Sequence, residues 1–145
     1  FASTTFLVDD GGHVAAGLDW ELSTIGHPLC EVAYQCAQWR LPEGRMRGLG
    51  TIDGEAIGIP SEARYVQRFC VRMGMTQALG WTFLLVLSLF RLASICQGIY
   101  RRGLDGNASN ANALEFDERT TVIAETAIAI ISDATSDDST LRSGS

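Results

Sequence analysis

The sequence contains no lysine, and all eleven of its basic residues are arginine. This absence bears on the glycine-rich segment Gly48–Gly54, whose spacing superficially resembles a phosphate-binding loop. Such a loop follows a strand and carries a lysine directly after its last glycine, because the lysine and the backbone N–H groups together hold the phosphates. No lysine follows Gly54 and no strand pattern precedes Gly48, so we exclude a nucleotide site of this type.

The chain also lacks a concentration of positive charge. Its net charge is -6, and its arginines are scattered except for the group Arg40, Arg45 and Arg47 and the pair Arg101 and Arg102. Proteins that bind nucleic acids usually present a basic face. We therefore predict no nucleic-acid partner, and we interpret the loop arginines as solvated charges or as contacts for an anionic ligand.

Paired cysteines are missing as well. Cys30, Cys36, Cys70 and Cys96 are widely spaced in apolar, helix-like surroundings, without the CxxC pairs of a zinc site. Buried free thiols are typical of a reducing compartment. We therefore predict a cytoplasmic protein.

The most apolar stretch, Trp81–Tyr100, carries Arg91 at its centre and is interrupted by Ser88 and Ser94. A charge at the middle of a bilayer is costly. The pattern favours a helix that is buried in the protein core around most of its circumference, and we expect no membrane partner.

The start of the chain reads as a hairpin. Thr4 to Val8 and His13 to Leu18 have strand composition, and the acidic and glycine residues between them are suited to a tight turn. Strict alternation along the second strand would place Val14, Ala16 and Leu18 on one face and His13 on the other, with Asp19.

Four helices are predicted after the hairpin. Pro28 suits the first turn of a helix that runs to about Trp39, and Ser61 suits the N-cap of a second helix that ends near Met73. The third runs from Trp81 to about Arg102 and the fourth from about Ala113 to Ile131. The segment between Arg40 and Pro60 reads as a long loop.

The predicted fold class is α+β, mostly helical with a small hairpin at the amino terminus. A chain of 145 residues, 46% of them apolar, can bury roughly two thirds of its unfolded surface and fits one domain. We assign residues 1–132 to this domain. Residues 133–145 are rich in Ser, Thr and Asp, and we predict a disordered polar tail there.

Asp19 is the first candidate site residue. It follows an apolar strand, where the sheet can hold its carboxylate rigidly for a hard cation such as Mg²⁺. Aspartate is equally common at the end of a strand because it favours turns. The residue pattern leaves both interpretations open.

Two further candidates lie on predicted helices. Spacing puts Glu31 on the polar stripe of the first helix, where a solvated carboxylate is the ordinary interpretation. Arg91 on the third helix needs a carboxylate partner, a phosphate or a route to water, because an unpaired buried charge is costly. A structural ion pair and a ligand contact both remain open for Arg91.

Five separated motifs resemble one family. These motifs are LDWELSTIGHPL at 18–29, GIPSE at 58–62, LFRLA at 89–93, QGIY at 97–100 and GNAS at 106–109. Through them the chain resembles the aminoglycoside phosphotransferase-like kinases, in the branch associated with acyl-CoA dehydrogenases, from about Val14 to Ala129.

This resemblance implies the fold and the roles of three residues. The chain would be the mostly helical carboxyl-terminal lobe of a protein-kinase-like fold. Asp19 matches the acid that holds Mg²⁺ against the ATP phosphates. Glu31 stands where the family usually has an aspartate that braces the catalytic loop, and Arg91 lies on a helix that resembles the substrate side of the cleft.

The resemblance is incomplete, because the sequence holds no His-Gly-Asp catalytic loop and no nucleotide-covering loop. We expect the general base and the amino-terminal lobe upstream of Phe1, and we expect the fragment alone to be inactive. The intact protein would transfer the γ-phosphoryl group of ATP to a hydroxyl of a small molecule, with a hydroxyacyl-CoA as the suggested acceptor. The alternative, which Glu31 also supports, is a non-catalytic kinase-like binding module.

Overall fold

The first element is an antiparallel hairpin, as seen in a computed structural model that describes residues 5–18, 26–46 and 48–143. Strand β1 is Thr5–Val8 and strand β2 is Val14–Leu18. The carboxylate of Asp9 shapes the turn by accepting hydrogen bonds from the backbone N–H groups of Gly11 (2.9 Å) and His13 (2.8 Å). The predicted hairpin is confirmed.

A bulge interrupts the pairing of the two strands. Leu7 lies opposite Ala16, whereas Val8 lies opposite Val14, so Ala15 is an extra residue in β2. The strict alternation of faces predicted for this strand is therefore wrong at Ala15. Every residue of β2 is exposed to solvent.

Helix α1 spans Pro28–Cys36 and continues into a 3₁₀ turn at Ala37–Trp39, which confirms the predicted helix. Its amino terminus is capped by the His27 ring, whose Nδ1 accepts a hydrogen bond from the backbone N–H of Leu29 (3.3 Å). The residues predicted to face the core are buried: Leu29, Val32, Ala33 and Cys36.

The long loop after α1 folds tightly around one leucine. Leu41 is fully buried, and the backbone N–H of Gly50 donates to its carbonyl oxygen at 2.9 Å. A Cβ atom at Gly48 would lie only 1.9 Å from the same oxygen, so only glycine fits this close approach. Gly48 and Gly50 thus allow the loop to pack closely against the backbone of Leu41.

Helix α2, Glu62–Arg72, is tied to its neighbours through its first residue. Ser61 caps the helix as predicted, since its hydroxyl accepts from the backbone N–H of Arg64 (3.4 Å). The Glu62 carboxylate accepts from Arg40 Nε (2.5 Å) and from the indole N–H of Trp81 (2.9 Å). One carboxylate thus joins the loop, α2 and the start of the next helix.

Helix α3, Trp81–Leu104, lies between α1 and the last helix and contributes to two apolar clusters. Leu85 packs with Val32 and Cys36 of α1. Leu89 packs in the second cluster with Ile123. Cys96 is buried there as well, and the buried Ser88 hydroxyl donates to the Leu84 carbonyl at 2.7 Å.

One side of α3 contradicts the predicted burial. Phe83 and Phe90 are 68% and 66% exposed, and Leu87 is also exposed. The described part of the chain covers only the faces that meet α1 and the last helix. By length and composition α3 is also long and apolar enough to cross a membrane, a property that core helices of soluble proteins share.

The last helix, α4, spans Phe116–Ser143 and follows a 3₁₀ turn at Ala113–Glu115. It continues beyond the predicted end at Ile131. In this extension the hydroxyls of Ser132 and Thr135 donate to carbonyl oxygens four residues earlier, which satisfies these polar groups within the helix. The domain boundary at residue 132 and the mobility of the tail stay predictions.

The four cysteines are distributed over three helices as free thiols. Cys36, Cys70 and Cys96 are buried, as predicted, whereas Cys30 near the start of α1 is half-buried. They therefore lie in α1, α2 and α3 at different degrees of burial.

Candidate functional site: a cleft beside Tyr34

The predicted metal ligand, Asp19, lies outside the described residues. Strand β2 ends at Leu18, directly before it. Among the described residues, no group of three or more His, Cys, Asp and Glu side chains is arranged to hold a metal ion. The assignment of Asp19 to Mg²⁺ stays a prediction.

A cleft of about 630 Å³ lies between α1, α2 and the hairpin. Its wall is mostly apolar, with Glu31 and Gln35 of α1 and Gln38 of the following 3₁₀ turn as polar members. The residues that matter below are Phe6, Glu31, Tyr34, Tyr65, Phe69 and Met73. A cleft of this size and composition is typical of small-molecule sites.

Tyr34 interacts electrostatically with two of the predicted site residues, Arg91 and Glu31. The guanidinium carbon of Arg91 lies 4.9 Å from the centroid of the Tyr34 ring, a cation–π contact between α3 and α1. Burial raises the pKa of the Tyr34 hydroxyl, the Arg91 charge lowers it in part, and Cys96 and Glu31 raise it further. The phenol therefore stays neutral at physiological pH and can donate or accept a hydrogen bond.

Glu31 lies one turn before Tyr34, in the first turn of α1, where a carboxylate is favoured by the helix dipole. Its side chain is exposed and lines the cleft. The predicted position on a polar stripe is confirmed. Its role as a brace of a catalytic loop involves a segment that the chain does not contain, and it stays a prediction.

The opposite wall of the cleft is held in place by Tyr65. Its hydroxyl donates to Gln35 Oε1 at 2.5 Å, and its ring lies 5.4 Å from that of Trp39. Burial is the main cause that raises the pKa of Tyr65, and Cys36 adds to it. Because this hydroxyl is already bonded to Gln35, Tyr65 is suited to shaping the cleft rather than to proton transfer.

Sequence reasoning missed Tyr34, although it placed Tyr65 and Phe69 on neighbouring turns of the second helix. Tyr34 is three residues after Glu31, the spacing that puts two side chains on one helix face, and this was the available signal. The contact with Arg91 could not be found in this way, because it joins residues 57 positions apart in two helices.

The sequence is similar to a short part of some longer known proteins. No protein-family model matches the chain, and no solved structure matches it. Acyl-CoA dehydrogenase family member 10 of Mus musculus is 41% identical over 116 residues, which is 79% of this chain and 11% of that protein. Acyl-CoA dehydrogenase family member 11 is 39% identical over 117 residues in Homo sapiens and 37% over 116 in Gallus gallus.

The match covers most of this chain and little of the relatives. The chain spans about 15% of the length of the two family member 11 proteins. An identity near 40% over most of the chain is well above chance similarity. The chain is therefore similar to one short stretch of acyl-CoA dehydrogenase family members 10 and 11.

Proposed function

We propose that the chain is the carboxyl-terminal lobe of an ATP-dependent phosphotransferase that acts on a hydroxyl of a small molecule, with a hydroxyacyl-CoA as the favoured acceptor. The observation that carries the proposal is the ordered set of motifs that begins with LDWELSTIGHPL at 18–29. The names of the relatives, which refer to acyl-CoA, support the choice of acceptor.

In this proposal Asp19 supplies the carboxylate oxygen that Mg²⁺ prefers. When bound, Mg²⁺ neutralises charge on the phosphates of ATP. Phosphoryl transfer depends mostly on positioning and on stabilisation of charge, so one missing carboxylate has a large effect. The general base and the remaining ATP contacts belong to segments outside this sequence.

Arg91 and Glu31 have positioning roles in the proposal. The stacking of Arg91 on Tyr34 fixes a positive charge beside a ring that lines the cleft. Glu31 keeps a carboxylate at the position where the resembling family has a shorter one. The additional methylene group makes its reach different from that of the usual aspartate.

The test compares Asp19→Asn with Asp10→Asn in the full-length protein that carries this chain. Both changes remove one carboxylate and conserve volume, but Asp10 is an exposed turn residue. We expect Asp19→Asn to lower Mg²⁺-dependent phosphotransfer by ~100-fold or more, as for the loss of other charge-stabilising groups, with an unchanged melting temperature. Asp10→Asn should leave the rate within about twofold.

Near-normal turnover of the Asp19→Asn variant would contradict the metal assignment. The non-catalytic alternative is favoured by Glu31, and it predicts that the full-length protein binds acyl-CoA but shows no phosphotransfer with any hydroxyacyl-CoA. Measuring turnover of the unmodified full-length protein separates these two functions.

A further inference from the structure

Helix α2 carries a row of exposed arginines. Arg64, Arg68 and Arg72 are spaced four residues apart, so their side chains follow one side of the helix, and all three are exposed. They are three of the eleven basic residues of a chain with net charge -6. Positive charge is therefore concentrated on this 11-residue helix, against the overall charge of the protein.

The row is not neutralised by the acid of its own helix. Glu62 is the sole acidic residue of α2, and its carboxylate already accepts hydrogen bonds from Arg40 and Trp81. Like charges four residues apart destabilise a helix slightly. Repulsion within the arginine row thus lowers the stability of the folded chain slightly, and a bound anionic ligand would reduce this repulsion.

The row borders the cleft beside Tyr34. Each arginine is followed directly by a residue that lines the cleft, namely Tyr65, Phe69 and Met73. Successive helix residues are separated by about 100° around the axis, so the arginines lie on the side of α2 next to the residues that line the cleft. The Glu31 carboxylate lies across the cleft on α1 and disfavours an anion on that side.

We propose that Arg64, Arg68 and Arg72 bind the phosphate groups of coenzyme A, with its uncharged, amide-containing pantetheine arm extending into the cleft. Guanidinium groups bind phosphate oxygens through paired, charge-assisted hydrogen bonds. An aromatic and thioether wall accepts the uncharged part of such a ligand. This inference rests on the proposed function for its choice of acyl carrier, and it assigns that carrier a docking surface separate from Asp19.

The first measurement needs no variant. We expect titration calorimetry with the full-length protein to show that coenzyme A binds. Its affinity should fall as the salt concentration is raised, because salt screens exposed charges. Removal of the 3′-phosphate, as in dephospho-coenzyme A, should weaken binding further. Equal affinity for both ligands, or no binding of coenzyme A, would overturn the proposal.

The second measurement uses matched pairs of substitutions. Arg64→Gln with Arg68→Gln removes two charges from the row, and Arg101→Gln with Arg102→Gln removes two from the far end of α3. We expect the first pair to weaken binding of coenzyme A roughly tenfold and the second to change it less than twofold, with similar melting temperatures. Equal weakening of coenzyme A binding by both pairs would show that only the net charge of the protein matters, and it would overturn the proposal.

A parallel titration with Mg²⁺-ATP distinguishes two sources of phosphate. Unchanged ATP binding in the Arg64/Arg68 pair supports a surface for the acyl carrier, whereas a loss of ATP binding alone overturns it. The outcome is independent of phosphotransfer: coenzyme A can bind through this row in a protein without kinase activity, and an active kinase can lack this binding.

Discussion

The hairpin and the helical part of this chain differ sharply in how they are stabilised. In the helical part, leucines such as Leu85 and Leu89 are almost completely buried between α1, α3 and α4. In the hairpin, Phe6, Val8 and Val14 are 57%, 59% and 63% exposed. The helices are thus held by burial of apolar surface, and the hairpin is held by its own hydrogen bonds and its turn.

This difference indicates that the two regions unfold at different free energies. An isolated two-stranded hairpin is marginally stable in water, whereas helices that share a core unfold together. The cleft lies where the two regions meet, since Phe6 of β1 joins residues of α1 and α2 in its wall. One edge of the candidate site is therefore more easily opened than the other.

The largest expected effect is in the helical core. Leu89→Ala removes a fully buried side chain and leaves a cavity, so we expect a loss of about 2–5 kcal/mol in the free energy of unfolding. Leu79→Ala is the control, because Leu79 is 72% exposed, and it should change stability by less than about 0.5 kcal/mol. Urea denaturation followed by circular dichroism measures both, and similar losses would contradict the assigned core.

A smaller loss is expected at the carboxylate that joins α2 to its neighbours. Glu62→Ala leaves Arg40 Nε and the Trp81 indole N–H without their acceptor, at a cost of about 1–2 kcal/mol. Glu62→Gln keeps a neutral acceptor and should recover part of the loss. Urea denaturation followed by circular dichroism measures both variants. An unchanged midpoint for Glu62→Ala would show that the contacts of Glu62 with Arg40 and Trp81 do not stabilise the helical part.

Alkaline pH should lower the stability of the folded chain through the buried thiol of Cys36. Burial raises the pKa of the Cys36 thiol from 9.0 to about 12, with a further rise from Glu62 and a partial offset from Arg40. The unfolded chain therefore releases this proton at lower pH than the folded chain, and stability declines between pH 9 and pH 12. In Cys36→Ala this decline should be less steep, although the raised pKa values of Tyr34, Tyr65 and Cys96 retain part of it.

The comparison for Cys36 is the difference in unfolding free energy between pH 7 and pH 10, not the absolute stability. The variant loses some packing at both values, and this loss cancels in the difference. An identical decline in the variant and the unmodified chain would contradict a buried, protonated thiol.

The smallest global effect is expected in the hairpin. Asp9→Ala removes the carboxylate that accepts from Gly11 and His13 in the turn, so amide protection in β1 and β2 should fall. The free energy of unfolding of the helical part should change by less than about 0.5 kcal/mol, because no core residue is touched. Hydrogen exchange by NMR records both regions at once, with Asp10→Ala as the control, and a loss of helical protection would contradict the separation of the two regions.

Local signals were sufficient to predict most of the elements from the sequence. Pro28 at the first turn of α1, the N-cap Ser61 and the turn that begins at Asp9 each act over a few neighbouring residues, so their roles can be predicted from the sequence. The α+β class and the buried stripe of α1 followed from the same kind of pattern. The bulge at Ala15 and the exposed side of α3 did not, because they depend on how separate segments meet.

The candidate site was less predictable for the same reason. Glu31 and Arg91 could be selected by residue type, but the ring of Tyr34 that links them is a tertiary contact. The arginine row of α2 was visible in the spacing of Arg64, Arg68 and Arg72. It was not predicted, because the three arginines are dispersed along the sequence and come together only on one side of a helix.

The distribution of the cysteines gives the protein a set of internal reporters. A thiol reagent reacts only with a thiolate that it can reach, so the rate of alkylation at each buried site measures how often that site opens. Cys36, Cys70 and Cys96 lie in three different helices, and the half-buried Cys30 provides a fast reference. Mass spectrometry of the labelled cysteines would then give the order in which α1, α2 and α3 separate, without any engineered probe.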